Sequence, residues 1–192
     1  QKVTLTPNPL WTGAKPYFDQ INYINIDSPE SAELAYEAGE IDITKITAKA
    51  HVRWQKTPPE NTKVHVAGAL QYMWMGMNVD HPKLQDIRVR KAIQHAVDVD
   101  SIIQGAYEGA SIRSYGMVCP GLVGNRTANG IAYDPAQASA LLSEAGVSGL
   151  SLDLKTLNVP ERMLAAQIIQ ANLGAVGIQV NVIPLDSGPF WN

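Results

Sequence analysis

The chain has 192 residues, 45% hydrophobic and 17% charged, so it can bury a core as one domain or two small ones. The formal net charge of −3 argues against a dedicated nucleic-acid-binding protein, which normally has a basic excess. The single cysteine excludes an internal disulfide and a multi-cysteine zinc site. No apolar run approaches the roughly 18–20 residues that cross a bilayer, and the first residues lack the pattern of a signal peptide.

The first third of the chain is predicted to contain a strand–helix–strand unit. Residues 6–16 are rich in proline and are expected to form a loop, whereas "INYINI" at 21–26 favours a strand. Ser28 followed by proline is typical of a helix start and predicts a helix over residues 29–38. The second strand is expected at "IDI", residues 41–43.

Two further strands are predicted at residues 64–67 and 70–77. In the second, the alternation of "QYMWMGM" places Tyr72 and Trp74 on one face and three methionines on the other. Two interpretations stay open: both faces are buried, or the aromatic face lines a small-molecule cleft.

The segment "LQDIRVRKAIQHAVDVDSI" is predicted to form a helix over residues 87–98, with Asp86 as its N-cap. Apolar residues at helical spacing define one buried face, formed by Val89, Ala92, Ile93, Ala96 and Val97. A second short helix is expected to be capped by Asp100 and to run through Tyr107.

A second face of the 87–98 helix is basic, since Arg88, Lys91 and His95 lie on it together. Aspartates bracket these residues and the chain is acidic, which favours a solvated helix face over a DNA-recognition helix. Lys91 and His95 are therefore expected to be exposed, and Arg90 is expected to pair with a neighbouring aspartate, Asp86 or Asp98.

The last third of the chain alternates helices and strands. Glycines make residues 115–134 a predicted loop, and "DPAQASALLSEAG" predicts a helix over 135–145. A helix at 160–175 is flanked by strands at 150–157 and 178–183. The whole pattern predicts an α/β fold with mixed sheets and flanking helices.

The sequence predicts no catalytic, metal or cofactor site. None of the four histidines forms a local pair at metal-ligand spacing with another histidine or a carboxylate. Cys119 has no histidine placed near it by the sequence, and the glycines after it do not follow a strand or open a helix as a phosphate loop requires.

Four motifs in series resemble those of one family. They are "AYEAGEIDIT", "MNVDHPKLQDIRVRKAIQHAVDVDSIIQGAYEG", "AYDPAQASALLSEAG" and "AAQIIQANLGAVGIQVNV". In order and spacing they resemble the bacterial extracellular solute-binding proteins of family 5, the oligopeptide- and dipeptide-binding class of ABC importers, over residues 20–185. Val99 departs from the family pattern, in which a basic residue usually follows the aspartate at position 98.

The resemblance implies part of a two-lobed architecture of the type II periplasmic-binding-protein kind. Residues 1–78 would belong to the first lobe and 79–192 to the second, with Met77 and Asn78 at the hinge and the chain truncated at both ends. It implies a substrate-binding protein without enzymatic activity that closes over its ligand. The alternative is a chemosensory or enzymatic protein that uses the same scaffold.

The resemblance also implies the position of a ligand site between the lobes. Carried onto this sequence, the expected ligand-binding residues are Thr44, Lys45, Tyr72, Trp74, Cys119, Asn158 and Arg162. The implied partners are a peptide or similar small solute and an ABC permease in the membrane. The protein is expected to be monomeric and either periplasmic or lipid-anchored on the outer face of the cytoplasmic membrane.

Overall fold

The computed structural model describes residues 2–67 and 69–191. The chain divides into two compact units, Gln1–His65 and Val66–Asn192, which are called the first and second unit below. The assignment of residues 1–78 and 79–192 to the lobes of a larger protein stays a prediction. No helix in the described ranges is both long enough and apolar enough to cross a membrane.

The first unit begins with two antiparallel strands, β1 (Lys2–Leu5) and β2 (Ile21–Ile24). Lys2 lies opposite Ile24, and Leu5 lies opposite Ile21. β2 confirms the strand predicted at "INYINI", and the loop predicted after β1 is also confirmed. β1 was not predicted, because four residues before a proline-rich loop are too short to show a period.

Two helices complete the first unit: α1 (Pro29–Glu37) and α2 (Ala48–Lys56). α1 confirms the predicted helix, and the Ser28 hydroxyl accepts a hydrogen bond from the backbone N–H of Ser31 at 3.1 Å. The strand predicted at 41–43 is wrong: these residues belong to an irregular connection between the helices. α2 was not predicted, although Thr47 caps it by accepting from Ala50 N–H at 3.1 Å.

Side-chain contacts join α1 to α2. The buried Glu33 carboxylate accepts a hydrogen bond from the backbone N–H of Thr47 at 2.7 Å, which fixes the start of α2. The buried Trp54 indole donates to Glu37 at 3.2 Å, and its ring lies 5.5 Å from the ring of Tyr36. These contacts hold the irregular connection between the helices at both ends.

The second unit has five α-helices and two strands among its described residues. They are α3 (Ile87–Ala96), α4 (Val99–Tyr107), α5 (Pro135–Glu144), β3 (Ser151–Leu157), α6 (Pro160–Ala175), β4 (Gln179–Leu185) and α7 (Ser187–Trp191), with a 3₁₀ turn at Pro82–Leu84. β3 and β4 are parallel, in register from Ser151–Gln179 to Leu157–Leu185, and α6 connects them. The α/β fold is confirmed, as are its predicted helices 87–98, 135–145 and 160–175, its strands after residue 150, and the loop at 115–134.

The strands predicted at 64–67 and 70–77 are wrong. Among the described residues, 64–67 and 69–81 form neither strand nor helix. Alternation along the sequence cannot form a strand without a neighbouring strand to take its hydrogen bonds, and β3 and β4 pair with each other. Met75 and Met77 instead pack against the core, while Trp74 is 62% exposed.

The core of the second unit contains the predicted apolar face of α3. Val89, Ile93 and Ala96 are 1%, 2% and 0% exposed, which confirms the prediction. This face packs against α5, and α4 packs against α6. Gly105 brings α4 close to α6, because an added Cβ there would lie 2.9 Å from Ile168 Cδ1.

The polar side of α3 departs from the sequence prediction at two residues. Lys91 is exposed as predicted, whereas His95 is half-buried, with Nδ1 2.9 Å from the carbonyl oxygen of Ala132. Arg90 does not pair with an aspartate; its guanidinium donates to the carbonyl oxygens of Leu84 at 2.7 Å and Gln85 at 2.8 Å. Local carbonyls of the preceding turn are closer to it than any carboxylate.

The two aspartates before α3 and α4 act as helix caps. Asp86 accepts from the backbone N–H of Arg88 at 2.8 Å and pairs with its guanidinium at 2.6 Å, a hydrogen bond that lowers the pKa of Asp86. α4 is capped by Asp98 and not by Asp100, since the Asp98 carboxylate accepts from the Asp100 and Ser101 N–H groups at 3.1 Å.

Candidate functional site

The parallel strands β3 and β4 end at the same edge, and two predicted ligand-binding residues lie there. Asn158 directly follows β3, is exposed, and donates its backbone N–H to the carbonyl oxygen of Leu185 at 2.9 Å. Arg162, half-buried, lies in the first turn of α6. The crevice outside the carboxyl ends of parallel strands is a common ligand position in α/β folds.

Tyr107, the last residue of α4, adds a group that the sequence did not identify. The residue is half-buried, and its hydroxyl makes an exposed hydrogen bond of 2.9 Å to the sulfur of Met73. Burial raises the pKa of Tyr107; the charge of Arg162 opposes this shift and that of Glu161 adds to it. A tyrosine in a last helical turn carries no local pattern that marks it as part of a site.

Trp74 has an exposed side chain, and its contact with a ligand stays a prediction. It follows Met73 directly and is 62% exposed, and its ring folds back over Gly76. A Cβ added at Gly76 would lie 3.2 Å from Cε3 and Cη2 of the indole and closer still to Cζ3. Tyr72 is half-buried in the same irregular segment. The two aromatic residues therefore do not share a strand face, but Trp74 presents a flat apolar surface to solvent.

Cys119 lies in the irregular segment between α4 and α5 and is 5% exposed. The Asn125 amide donates to the carbonyl oxygen of Val118 at 2.8 Å, and Leu122 N–H donates to that of Cys119 at 3.2 Å. These bonds hold a tight turn around a buried thiol. A ligand contact by the Cys119 side chain stays a prediction and would need this turn to open.

Thr44 and Lys45 lie in the first unit, in the connection between α1 and α2. The Thr44 hydroxyl donates to the carbonyl oxygen of Lys45 at 3.1 Å, and the Lys45 side chain is exposed. The Glu33–Thr47 hydrogen bond holds the chain just after them. Within the ranges that the structure describes, no group of three or more histidine, cysteine or acidic side chains is arranged to hold a metal ion.

The fold of the chain is that of the periplasmic binding proteins. It is similar to the ABC transporter-associated periplasmic binding protein DppA from Helicobacter pylori in complex with the peptide STSA, with TM-score 0.86 and 28% identity over 99% of this chain and 37% of that one. It is also similar to NikA from Brucella suis in complex with Fe(III)-EDTA, with TM-score 0.85 and 29% identity over 98% of this chain and 41% of that one.

The whole chain, residues 1–192, matches the family described as bacterial extracellular solute-binding proteins, family 5 Middle, and belongs to that family. It is 28% identical to the dipeptide-binding protein of Escherichia coli over 93% of this chain and 34% of that protein. It is 29% identical to di/tripeptide-binding protein 1 of Pseudomonas aeruginosa over 87% and 32%. The chain thus spans about a third of the length of these curated relatives.

Proposed function

We propose that the protein is the substrate-binding component of an ABC transporter and captures a peptide or a similar small solute for import. Family membership and the names of the relatives, which are dipeptide- and di/tripeptide-binding proteins, support this function. The observation that carries it is the exposed indole of Trp74, which directly follows Met73, whose sulfur contacts the Tyr107 hydroxyl.

The residues of the second unit suit an extended, polar solute with apolar side chains. Trp74 offers an apolar surface, while Asn158 and Arg162 offer hydrogen-bond donors for carbonyl and carboxylate oxygens. The site in this proposal also includes Tyr72, Cys119 and, from the first unit, Thr44 and Lys45. Met77 and Asn78 form the hinge about which two lobes close over the solute.

The proposed protein has no catalytic step of its own. It acts as a monomer on the outer side of the cytoplasmic membrane, free in the periplasm or lipid-anchored, and delivers its solute to an ABC permease. The likeness to NikA, which was solved with Fe(III)-EDTA, makes a metal chelate the second candidate solute. The binding test below distinguishes a peptide-binding protein from a chelate-binding protein.

The test uses the protein at its full natural length, with di- to pentapeptides including Ser-Thr-Ser-Ala, and with Fe(III)-EDTA. A rise in melting temperature with peptides, followed by calorimetry, is the expected result. Binding of the chelate alone would replace the peptide proposal, and binding of neither would overturn it. The 192-residue chain alone is expected to bind weakly, because it spans a third of its relatives' length.

The contribution of Trp74 is tested by Trp74→Ala in the same protein. We expect peptide affinity to fall at least tenfold, about 1.4 kcal/mol, with an unchanged melting transition. Trp11→Ala is the matched control, because Trp11 is 63% exposed and lies in the first unit. Unchanged peptide affinity in an intact Trp74→Ala protein would remove Trp74 from the site.

A further inference from the structure

We propose that Tyr107 is a positioning residue for ligand binding: through its hydroxyl contact with Met73 it holds the segment of residues 70–77 so that Trp74 faces the solute. This inference rests on the proposed function, because it assigns Trp74 to the ligand site. It adds a residue outside the set predicted from the sequence and a role that acts through another side chain.

Residues 70–77 depend on side-chain contacts for their position. They form neither helix nor strand, so no regular backbone hydrogen bonds fix their course. Met75 and Met77 pack against the core and hold the end of the segment. Met73 is 41% exposed, so burial alone does not fix it, and its sulfur instead meets the Tyr107 hydroxyl at 2.9 Å.

Tyr107 is itself held in place by the packing of α4. It ends α4, which packs closely on α6 at Gly105, and its ring packs against the core of the unit. A tyrosine phenol is protonated at neutral pH and therefore keeps its O–H donor. A thioether sulfur is a weak acceptor, but a fixed donor beside it restricts a flexible methionine.

The contact between Tyr107 and Met73 also restricts Trp74, the next residue. The indole is limited on one side by its packing over Gly76, and the residue before it is held by Tyr107. Without the hydroxyl, Met73 loses its polar partner and the indole gains alternative positions. Ligand binding must then restrict the Trp74 indole to one conformation, which costs entropy. The affinity falls although no contact with the ligand has been removed.

The role predicts a particular pattern of coupling. If Tyr107 acts through Met73, then Tyr107→Phe, Met73→Leu and the double variant should weaken binding by the same factor. That factor should be about three- to tenfold, less than for loss of the indole itself. If the hydroxyl touches the solute directly, Met73→Leu should have little effect and the double variant should match Tyr107→Phe alone, which would overturn the positioning role.

A ligand-free measurement tests the same role independently of binding. The full-length protein is labelled with 5-fluorotryptophan, and the fluorine resonance of Trp74 is identified by its loss in Trp74→Phe. We expect this resonance to shift or broaden in Tyr107→Phe and in Met73→Leu while the other resonances stay in place. Tyr133→Phe is the control, because Tyr133 is an exposed tyrosine of the same unit. An unmoved Trp74 resonance would overturn the inference.

The affinity probe is the peptide Ser-Thr-Ser-Ala, measured by calorimetry, with melting curves for each variant. Weaker binding in Trp74→Ala but wild-type affinity in a folded Tyr107→Phe protein would overturn the positioning role and leave the proposed function in place. Wild-type protein that binds neither this peptide nor the others would count against the proposed function, and the fluorine resonances alone would then decide the role of Tyr107.

Discussion

Among the described residues, the first unit buries two hydrophobic side chains, Ala50 and Trp54, whereas the second buries a continuous cluster drawn from α3, α4, α5 and α6. The helices of the first unit are joined mainly by hydrogen bonds that the carboxylates of Glu33 and Glu37 accept. The folded structure of the first unit therefore depends on a few specific contacts. That of the second unit depends on many apolar contacts within one core.

The strands show the same difference. Both faces of β1 and β2 are exposed, and their apolar side chains are 45–61% exposed. The loop that joins them forms an open cavity with a volume of about 280 Å³, and its lining includes Leu5, Trp11 and Phe18. In the second unit, exposed and covered residues alternate along most of β3 and along the first four residues of β4, because α6 packs on both strands. The apolar side chains of a strand in this chain are therefore not necessarily buried.

The sharpest test of this comparison is Trp54→Ala. The side chain is 4% exposed, so its removal should cost about 3–5 kcal/mol, which the first unit has few other apolar contacts to offset. Hydrogen exchange should accelerate in α1 and α2 and remain unchanged in α3 and α6. Equal acceleration in both units would show that the first unit does not depend on this one side chain, and Trp11→Ala serves as the exposed control.

The corresponding change in the second unit is Ile93→Ala. Ile93 is 2% exposed in the α3 face that packs on α5, so the free energy of unfolding should fall by about 2–5 kcal/mol. Ile87→Ala is a matched control, because Ile87 is 55% exposed in the same helix and should cost less than about 0.5 kcal/mol. Denaturant unfolding measures both, and similar losses would remove the distinction between the two faces of α3.

Sequence reasoning predicted the second unit well because its signals agree with one another. In α5, a capping aspartate, a proline at the first helical position and a glycine beyond the end all point to the observed helix. In α3, helical spacing of apolar residues coincides with the buried face. In both helices, local signals and tertiary packing favour the same structure.

The failures have a common physical cause. The segments 41–43 and 64–77 show strand-like alternation, yet no strand lies beside them among the described residues to complete a sheet. α2 was missed because its apolar stripe is only Ala50 and Trp54, and its start is fixed by Glu33 from another helix. Tyr107 was missed for the same kind of reason, since its contact with Met73 joins residues 34 positions apart.

The Glu33 contact offers a smaller and more local test. Glu33→Ala removes the acceptor of a charge-assisted hydrogen bond and leaves Thr47 N–H without it, which should cost about 1.5–3 kcal/mol. Exchange of the α2 amides should accelerate most. Glu30→Ala is the control, because Glu30 is an exposed residue in the first turn of the same helix. An unchanged α2 would show that the helix start is fixed by Thr47 alone.

The smallest expected effect distinguishes the observed cap of α4 from the one predicted by the sequence. Asp98→Ala should cost about 0.5–2 kcal/mol at neutral pH, because the carboxylate accepts from two backbone N–H groups at 3.1 Å. Asp100→Ala should cost less, since Asp100 is 70% exposed and pairs with Arg113 on the surface. Equal losses would contradict the cap assignment.

The same cap gives a pH dependence with a definite sign. The Ser101 hydroxyl, ahead of the Ser101 and Asp100 N–H groups, lowers the pKa of Asp98 below its ordinary value of 3.8 despite partial burial. A lowered folded pKa means that the stabilisation is complete above the unfolded value and is lost as the pH falls from there through the folded pKa. Melting temperatures between about pH 5 and pH 2 should therefore fall less steeply in Asp98→Asn than in the wild type. Parallel curves would show that the Asp98 carboxylate does not stabilise the folded protein through its charge.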